Sequence, residues 1–498
     1  MSGDQASRAG AGDRRRSASG ARLAGDDYQH LVAWCWALRA LLPGSEVHAV
    51  EVEAPDAGNV DDVVLWHETP PHHYLQAKYA VNATSPVNTQ WLTRPSPSGG
   101  LSLLQRFHAS WRRLRDGDVE PVLWLVTNRD LDPADPALSG RDNRTQTIAA
   151  ALAAMDVAGG QRRGEWAAHL GTSEEELLAL LQVLRFDTGR GYAAERRHAA
   201  ELMAALGLRH DEQAVDLGIG QVRSWIVEGR TRFDLVGLQA EIDDLGLRVT
   251  DPWCVLLLQG IDRDPFPEDA TVRLDWVDRF DGDTAFQRRR PADPAVWESQ
   301  LHPELRHAVE ELRTVGCQRV LVRGAMRLAS WFTVGFECAG VTGITVACQQ
   351  QGRLWASDEP SAGDARLNVQ EATLGHGEEL AVVVAVAYDP SAAARQYLQA
   401  AGVRVGKLAT ISPAAGPSDQ VVSGSGHAVA LAQAIRNEVR RLADAAHARR
   451  LHLFLACPAG LALLLGHRWN RVPTTQLHED LGVGSQYTPA FLLSLAAS

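Results

Sequence analysis

Asp61-Asp62 opens an apolar run, Val63-Val64-Leu65-Trp66, and Gln76 and Lys78 stand two apart in the next one, Tyr74-Leu75-Gln76-Ala77-Lys78, with Glu51 and Glu53 just upstream. Carboxylates and an amide oxygen suit a hard divalent cation, and an ammonium answers the charge that grows on a phosphate during hydrolysis. The grouping therefore reads as metal-assisted phosphodiester chemistry. The lysine is conspicuous, because among 49 Lys plus Arg only Lys78 and Lys407 are lysine. A chain that uses arginine wherever a generic positive charge suffices keeps lysine where a compact ammonium of movable pKa does what a planar guanidinium cannot. The same scarcity argument gives Lys407, in the alternating run Val403-Arg404-Val405-Gly406-Lys407-Leu408, a particular role such as a ligand phosphate contact.

These residues need elements to position them. Alternation of apolar and polar residues makes the two runs strands, and Thr69-Pro70-Pro71-His72 between them reads as a tight turn. A turn centred near Pro70 sets Asp62 across from Lys78, while the two-residue period puts Gln76 with Lys78, and Glu51 with Glu53, on common strand faces. Either glutamate can project inward, and Glu53 is taken first as the metal ligand beside Asp62 and Gln76. Upstream, Asp27 caps a helix carrying Leu31, Trp34, Cys35, Leu38 and Leu41 at helical spacing, with Gln29 in its first turn as a support residue. Downstream come an amphipathic helix, Leu101 to Arg115, and an apolar strand, Pro121 to Thr127. The arginines of that helix, Arg106, Arg112, Arg113 and Arg115, fit a solvated face or a rail for DNA phosphates equally.

The length of 498 residues suits about three domains. A net charge of −12 excludes a basic coat over the whole surface, so any nucleic-acid contact is a local patch. The six cysteines are scattered, with no Cys-x-x-Cys spacing, which predicts buried thiols in a cytoplasmic protein. No apolar segment approaches the roughly 20 residues that span a bilayer, so no membrane contact is expected. Residues 1–24 are Arg, Ser, Gly and Ala without an apolar core and read as a disordered tail. Residues 151–264 read as a helical connector: periodic segments dominate it, and Ser173 ahead of Glu174, Glu175 and Glu176 is a clear helix start.

From residue 265 the chain repeats itself. A helix, Leu305 to Val315, leads into strand Arg319 to Val322, loop Arg323-Gly324-Ala325-Met326 and apolar helix Leu328 to Gly335. The same order recurs toward the end of the chain, where helix Ala430 to Ala445 leads into strand Leu451 to Leu455, loop Ala456-Cys457-Pro458-Ala459 and apolar helix Leu461 to Gly466. Gly335 and Gly466 fall in register. The fold class is therefore α/β, ending in two Rossmann-like halves packed as a pseudo-dimer. Ligands of open α/β sheets lie at the carboxyl ends of the strands, where loop amides and helix N-termini favour anions. Candidate ligand contacts are thus Arg323, Gly324, Arg327, Cys457, Pro458 and Ala459, with Trp331 or Trp355 to stack a base, although large aromatics at such spacing more often pack the core.

Acids on central strands followed by Gln-x-Lys resemble the PD-(D/E)xK nuclease superfamily. The Gly25, Tyr28, Gln29 opening, the Asp-Asp before a strand and the Gln-x-Lys are similar to its DUF4297-type domains, although Gln76 stands where many relatives carry an acid. This resemblance covers residues 25–150 and implies a restriction-endonuclease-like αβββαβ core, Mg2+ (or Mn2+) as cofactor and double-stranded DNA as substrate. Leu451-His452-Leu453-Phe454, Cys457-Pro458-Ala459, Leu465-Gly466 and Tyr487-Thr488-Pro489-Ala490 resemble the SAVED domain, a fusion of two CARF-like halves that senses cyclic oligonucleotides, over residues 265–498. Together they resemble the SAVED nuclease effectors of CBASS antiphage systems. That implies a cyclic oligonucleotide ligand, a cyclic trinucleotide favoured, made by a cognate nucleotidyltransferase, and a ligand-induced homo-oligomer that degrades DNA. Two other readings stay open: a constitutive restriction-type endonuclease, which the lack of a basic, aromatic-interleaved surface in residues 265–498 disfavours, and a ligand-gated binding protein with an inactive nuclease fold.

Overall fold

The computed structural model describes residues 4–494 apart from 97–98, 118, 143–144, 155–156, 265, 340–341 and 483–485. The chain forms two compact units that divide between Asp251 and Pro252. In the first, the elements run α1 (Asp4–Ala40), β1 (Val47–Val52), β2 (Val63–His67), β3 (His73–Lys78), α2 (Thr89–Thr93), α3 (Leu103–Leu114), β4 (Val122–Thr127), α4 (Pro136–Ser139), α5 (Ala149–Ala154), α6 (Val157–Leu170), α7 (Glu174–Val183), β5 (Leu184–Thr188), α8 (Tyr192–Ala205), α9 (Glu212–Glu228), β6 (Arg232–Asp234) and α10 (Leu235–Asp244). The expected tail is helical from Asp4: Ala and Arg favour helix and no proline interrupts them, so α1 begins far upstream of Asp27. Residues 1–3 of that tail lie outside the described residues.

One six-stranded sheet, ordered β5-β4-β3-β2-β1-β6, organises this unit. Strands β1, β2 and β3 form an antiparallel meander, β3, β4 and β5 are parallel, and β6 closes the other edge antiparallel to β1. Both edge strands come from the stretch read as wholly helical. They are five and three residues long between longer helices, too short for strand periodicity to register. Strand β4 is buried on both faces: Leu123 and Leu125 pack with Leu104, Phe107, Trp111 and Trp166, while Trp124 meets Trp36 of α1 edge-on. Helix α9 lies tight on α1, because a Cβ on Gly218 would strike the Trp34 ring.

The second unit runs β7 (Cys254–Gln259), β8 (Val272–Asp275), α11 (His302–Thr314), β9 (Arg319–Arg323), α12 (Leu328–Glu337), β10 (Thr345–Gln350), β11 (Arg353–Ala356), β12 (Leu367–Thr373), β13 (Glu379–Ala385), α13 (Ser391–Ala400), β14 (Val405–Pro413), α14 (Ser425–Ala446), β15 (Arg450–Ala456), α15 (Ala459–His467), β16 (Thr474–Asp480) and β17 (Tyr487–Leu493). They build two sheets, β11-β10-β9-β7-β8 and β12-β14-β13-β15-β16-β17, each parallel at its centre with antiparallel strands only at edges. The α/β class and the two Rossmann-like halves are as expected. Cys254 and Cys317 depart from expectation: they begin or precede neighbouring strands β7 and β9, their Cα atoms are 6.1 Å apart, and they form a disulfide. Cys35, Cys338, Cys348 and Cys457 are buried thiols.

The halves meet through α12 and α15. A Cβ on Gly335 would run into the Leu463 carbonyl and the His467 nitrogen, and one on Gly466 into the Phe332 carbonyl and the Phe336 nitrogen. Phe332 and Leu463, Gly335 and Gly466, and Phe336 and His467 all share the one constant offset of the repeat. Each glycine is therefore the slot into which the other helix's backbone fits, an isologous contact inside one chain.

Candidate functional site

Asp62 is the buried centre of a group in the first unit. Its Oδ2 accepts hydrogen bonds from the Ala77 amide at 2.6 Å and from Gln76 Nε2, and its Oδ1 accepts from Gln29 Nε2 at 2.7 Å. The register Val63↔Leu75 and Val64↔Tyr74 puts Asp62 level with Gln76, not with Lys78 as a turn centred on Pro70 requires. The turn centres one residue earlier, at Thr69, and the Asp62 carboxylate continues the β2–β3 ladder onto the Ala77 amide. Burial pushes the Asp62 pKa up, opposed by Lys78 and by the donors from Ala77 and Gln76. Gln29 approaches from α1, whose neighbouring Tyr28 is buried, meets the Tyr79 ring at a tilt with centroids 5.0 Å apart, and donates its hydroxyl to the Arg190 carbonyl at 3.1 Å.

The two upstream glutamates part company. Glu53 lies just past the end of β1 in the left-handed region, at φ 49°, a conformation unusual for a residue with a Cβ. That twist breaks the two-residue alternation which would align it with Glu51. Glu51 instead accepts from Trp66 Nε1 at 3.0 Å and lies 3.5 Å from Arg232. The Glu53 backbone amide donates to the Asp62 carbonyl at 3.2 Å. Although the residue as a whole is exposed, its carboxyl pKa is pushed up to about 7, by desolvation first and then by the charges of Asp62 and Asp61, with Lys78 opposing and Asp26 adding to the rise. Asp61, named with Asp62 at the head of β2, and Asp26, which no sequence pattern singled out, are thus further members of the acidic environment.

Lys78 ends β3, partly buried, and makes no hydrogen bond or ion pair among the described residues. Glu53 likewise makes no side-chain hydrogen bond among them. Glu53, Asp62, Gln76, Gln29 and Lys78 are therefore brought together at one end of the central strands β1, β2 and β3. Among the described residues no three His, Cys, Asp or Glu side chains converge as a metal cage. The donors still fit Mg2+, which keeps most of its waters and takes one or two carboxylates. Glu53 is uncommitted, Asp62 Oδ1 keeps one lone pair, and two carboxylates raised in pKa beside each other gain from a cation. A Gln76 amide turned about its end supplies an oxygen in place of its nitrogen.

In the second unit the expected ligand residues have internal partners. Arg323 pairs with Asp264 at 3.1 Å and Asp269 at 3.6 Å and donates to the Phe266 carbonyl. Gly324, at φ 122°, leaves no room for a Cβ beside the Leu258 carbonyl. Arg327 is the residue immediately before α12, and its guanidinium donates to the carbonyls of Ala285 and Arg288. Trp331 and Trp355 are buried in the core, and Lys407 pairs with Glu371 of edge strand β12 at 3.1 Å, near the amino end of β14 and away from the carboxyl ends of the parallel strands. Cys457, Pro458 and Ala459 form the turn from β15 into α15, as placed by sequence.

The helix N-termini at these turns carry caps that no local pattern signals. Ala329 N of α12 donates to Glu479 Oε2 at 3.1 Å, and Gly460 N of α15 donates to Gln350 Oε1 at 3.1 Å. Ala329 and Gly460 keep the offset of the repeat, and each is capped from the last turn of a strand in the opposite half. The pseudo-symmetry is broken in charge: a carboxylate stands at one helix, an amide at the other. Full burial pushes the Glu479 pKa up to about 7 against the lowering pull of the Ala329 amide and Arg327.

Comparison with known proteins places this second unit. Residues 297–493 match the family described as SAVED, SMODS-associated and fused to various effectors sensor domain. CD-NTase-associated protein 4 of Enterobacter hormaechei subsp. hoffmannii (strain UCI 50) is 23% identical over 490 residues, covering 91% of this chain and 95% of that protein. Among solved structures, the Acinetobacter baumannii Cap4 SAVED/CARF-domain containing receptor with the cyclic trinucleotide 2'3'3'-cAAA is 14% identical at TM-score 0.43, over 93% of this chain and 98% of that one. The Moraxella osloensis Cap4 receptor is 13% identical at TM-score 0.39, over 95% and 100%. The two-halved segment 297–493, with its glycine-locked helix pair, is a SAVED sensor domain.

Proposed function

We propose that this protein is an antiphage effector in which a cyclic oligonucleotide, bound by the SAVED domain, switches on a metal-dependent DNA endonuclease in the first unit. The observation that carries the reading is the convergence of Glu53, Asp62, Gln76, Gln29 and Lys78 at one end of the central strands β1, β2 and β3, in a chain that also holds a SAVED domain. Asp62 and Glu53, with the Gln76 oxygen, hold Mg2+ or Mn2+; when bound, the cation supplies positive charge at the scissile phosphate and acidifies water. Gln29 fixes the Asp62 carboxylate from above. The Lys78 ammonium, free of any ion pair among the described residues, lies where negative charge grows on the phosphoryl oxygens as water attacks phosphorus and the P–O bond to the leaving strand breaks. The substrate is double-stranded DNA.

The name of the Enterobacter relative supports a cognate nucleotidyltransferase as the source of the messenger. Activation proceeds through a ligand-induced homo-oligomer in the cytoplasm, and no helix among the described residues is long and apolar enough to cross a membrane. The test is plasmid cleavage by the full chain with Mg2+ across cyclic di- and trinucleotides, cyclic trinucleotides first, beside Lys78→Ala and a chelator. Cleavage with one ligand, absent from both controls, is expected. Cleavage without any ligand sinks the gating and leaves a constitutive endonuclease. No cleavage with a ligand that demonstrably binds sinks the nuclease and favours an inactive fold, a reading that the amide at Gln76 makes specific.

A further inference from the structure

Four arginines of the SAVED domain stand together, none of them ion-paired with a carboxylate among the described residues. Arg436 and Arg440 are one turn apart on α14 and so share a face of that helix. Arg468 is the C-cap of α15, and Arg471 follows it with its backbone in the left-handed region at φ 55°. Helix α14 packs against α15 and β11, which brings the pairs side by side, and Arg468 donates to the Ser357 carbonyl just beyond β11 at 2.7 Å. The buried Arg436 Nε and Arg468 Nη1 atoms have no hydrogen-bond partner, and none of the four guanidiniums has a carboxylate partner among the described residues. The charges feel one another: burial and then Arg440 and Arg471 lower the Arg436 pKa, and burial and then Arg436 lower that of Arg468.

The C-terminal end of α15 favours one cation, which accounts for Arg468. It does not account for three more, nor for buried N–H groups left without acceptors, which destabilise the fold unless something arrives to accept. An oxyanion answers both at once, and guanidinium forks match phosphate geometry. The cluster stands at the end of α15 opposite the Cys457–Ala459 turn, roughly 13 Å away along a nine-residue helix.

We infer that Arg436, Arg440, Arg468 and Arg471 form a second anion site of this protein, which takes a phosphate group and is separate from the turns at the carboxyl ends of the strands.

The phosphate can belong to a small phosphorylated anion or to a nucleic-acid backbone, and the test has an arm for each. Thermal unfolding of the full chain is followed with pyrophosphate, with chloride at matched ionic strength, and with short duplex DNA, all in chelator so that the acidic site of the first unit holds no cation. Pyrophosphate is expected to raise the Tm saturably, and Arg436→Gln with Arg468→Gln to weaken that response at least about tenfold. Without ligand the same variant is expected to unfold within a few degrees of the wild type, since the repulsion it relieves offsets the lost hydrogen bond from Arg468 to the Ser357 carbonyl. Should it fail to fold, Arg440→Gln with Arg471→Gln, both nearer the surface, gives the same reading. If duplex is the occupant, the variant lowers the salt slope of DNA binding by about 2; if a small anion is, that slope is unchanged while the pyrophosphate response is still lost. No saturable response in the wild type, or an equal response in the variants, overturns the site.

Discussion

The Glu53 amide donates to the Asp62 carbonyl at 3.2 Å, and this contact, with the Ala54 amide on the Asp61 carbonyl at 2.8 Å, brings two carboxylates into each other's field where β1 ends and β2 begins. A carboxyl pushed up to about 7 shares its site with a proton at neutral pH. Divalent cations must displace that proton, so their affinity is expected to rise about tenfold per pH unit below 7 and to level off above it. Mn2+ titration by electron paramagnetic resonance at several pH values reads this directly. Glu53→Gln is expected to bind more weakly and without the pH slope, and a wild-type affinity flat across pH 7 contradicts the assignment.

Glu51 is the internal control. Its carboxylate holds Trp66 Nε1 and lies near Arg232, so Glu51→Gln is expected to cost about 1 kcal/mol of stability through a weakened hydrogen bond and to leave cleavage within a few-fold. Urea unfolding and cleavage rates of the two glutamine variants, side by side, give the comparison. Cleavage lost in Glu51→Gln and kept in Glu53→Gln reverses their roles.

Lys78 tests the argument from scarcity. Lys78→Ala is expected to lower the ligand-activated cleavage rate on the order of 10² to 10³, with cyclic-oligonucleotide binding unchanged. Lys78→Arg is expected to stay near the alanine rate, because the planar fork spreads charge that the ammonium concentrates. Single-turnover cleavage with saturating ligand separates the two, and full activity in Lys78→Arg removes lysine's special part.

What sequence made legible was local or repeated. Strand periodicity set Asp62 at the head of one strand and Gln76 and Lys78 on the next, and the repeat put Gly335 in register with Gly466, whose mutual fit needs nothing beyond two small residues at equal offsets. What it hid was conformational or distant. A glutamate in the left-handed region has no sequence signature, so Glu51 and Glu53 looked equivalent. The register of β2 and β3 depended on a carboxylate replacing a backbone acceptor at Ala77. Glu479 caps Ala329 from 150 residues away and Gln350 caps Gly460 from 110, and Arg323 finds Asp264 59 residues upstream. Partners at such separations are set by packing in three dimensions, and periodicity carries no information on them.

The helix lock gives a stability prediction. Alanine at Gly335 or Gly466 forces a methyl group onto the facing backbone, where no side chain can move aside, and each is expected to cost about 1–3 kcal/mol. Gly220 faces open space on α9, so Gly220→Ala is expected to stabilise by up to about 1 kcal/mol. Urea midpoints rank the three variants, and a neutral Gly335→Ala contradicts the close contact.

Glu479 makes the last prediction, and its sign follows from the direction of its shift. Its pKa rises from 4.5 in the unfolded chain to about 7 when buried at α12. Between those values the native state keeps a proton that the unfolded chain has lost, so stability falls as pH rises through this window and the penalty is complete above about 7. The full difference is on the order of 3 kcal/mol. Buried His467 and His478, lowered to about 4 and about 3, act with the opposite sign, since they lose stability as pH falls and they charge. The difference between wild type and Glu479→Gln therefore isolates the one group: glutamine keeps an acceptor for the Ala329 amide, as Gln350 does for Gly460, and cannot ionise. Unfolding free energies are expected to coincide most closely near pH 5 and to diverge in favour of Glu479→Gln toward pH 8. A constant difference across that range means that Glu479 is held at α12 as a carboxylate throughout, with the helix N-terminus and Arg327 outweighing its burial.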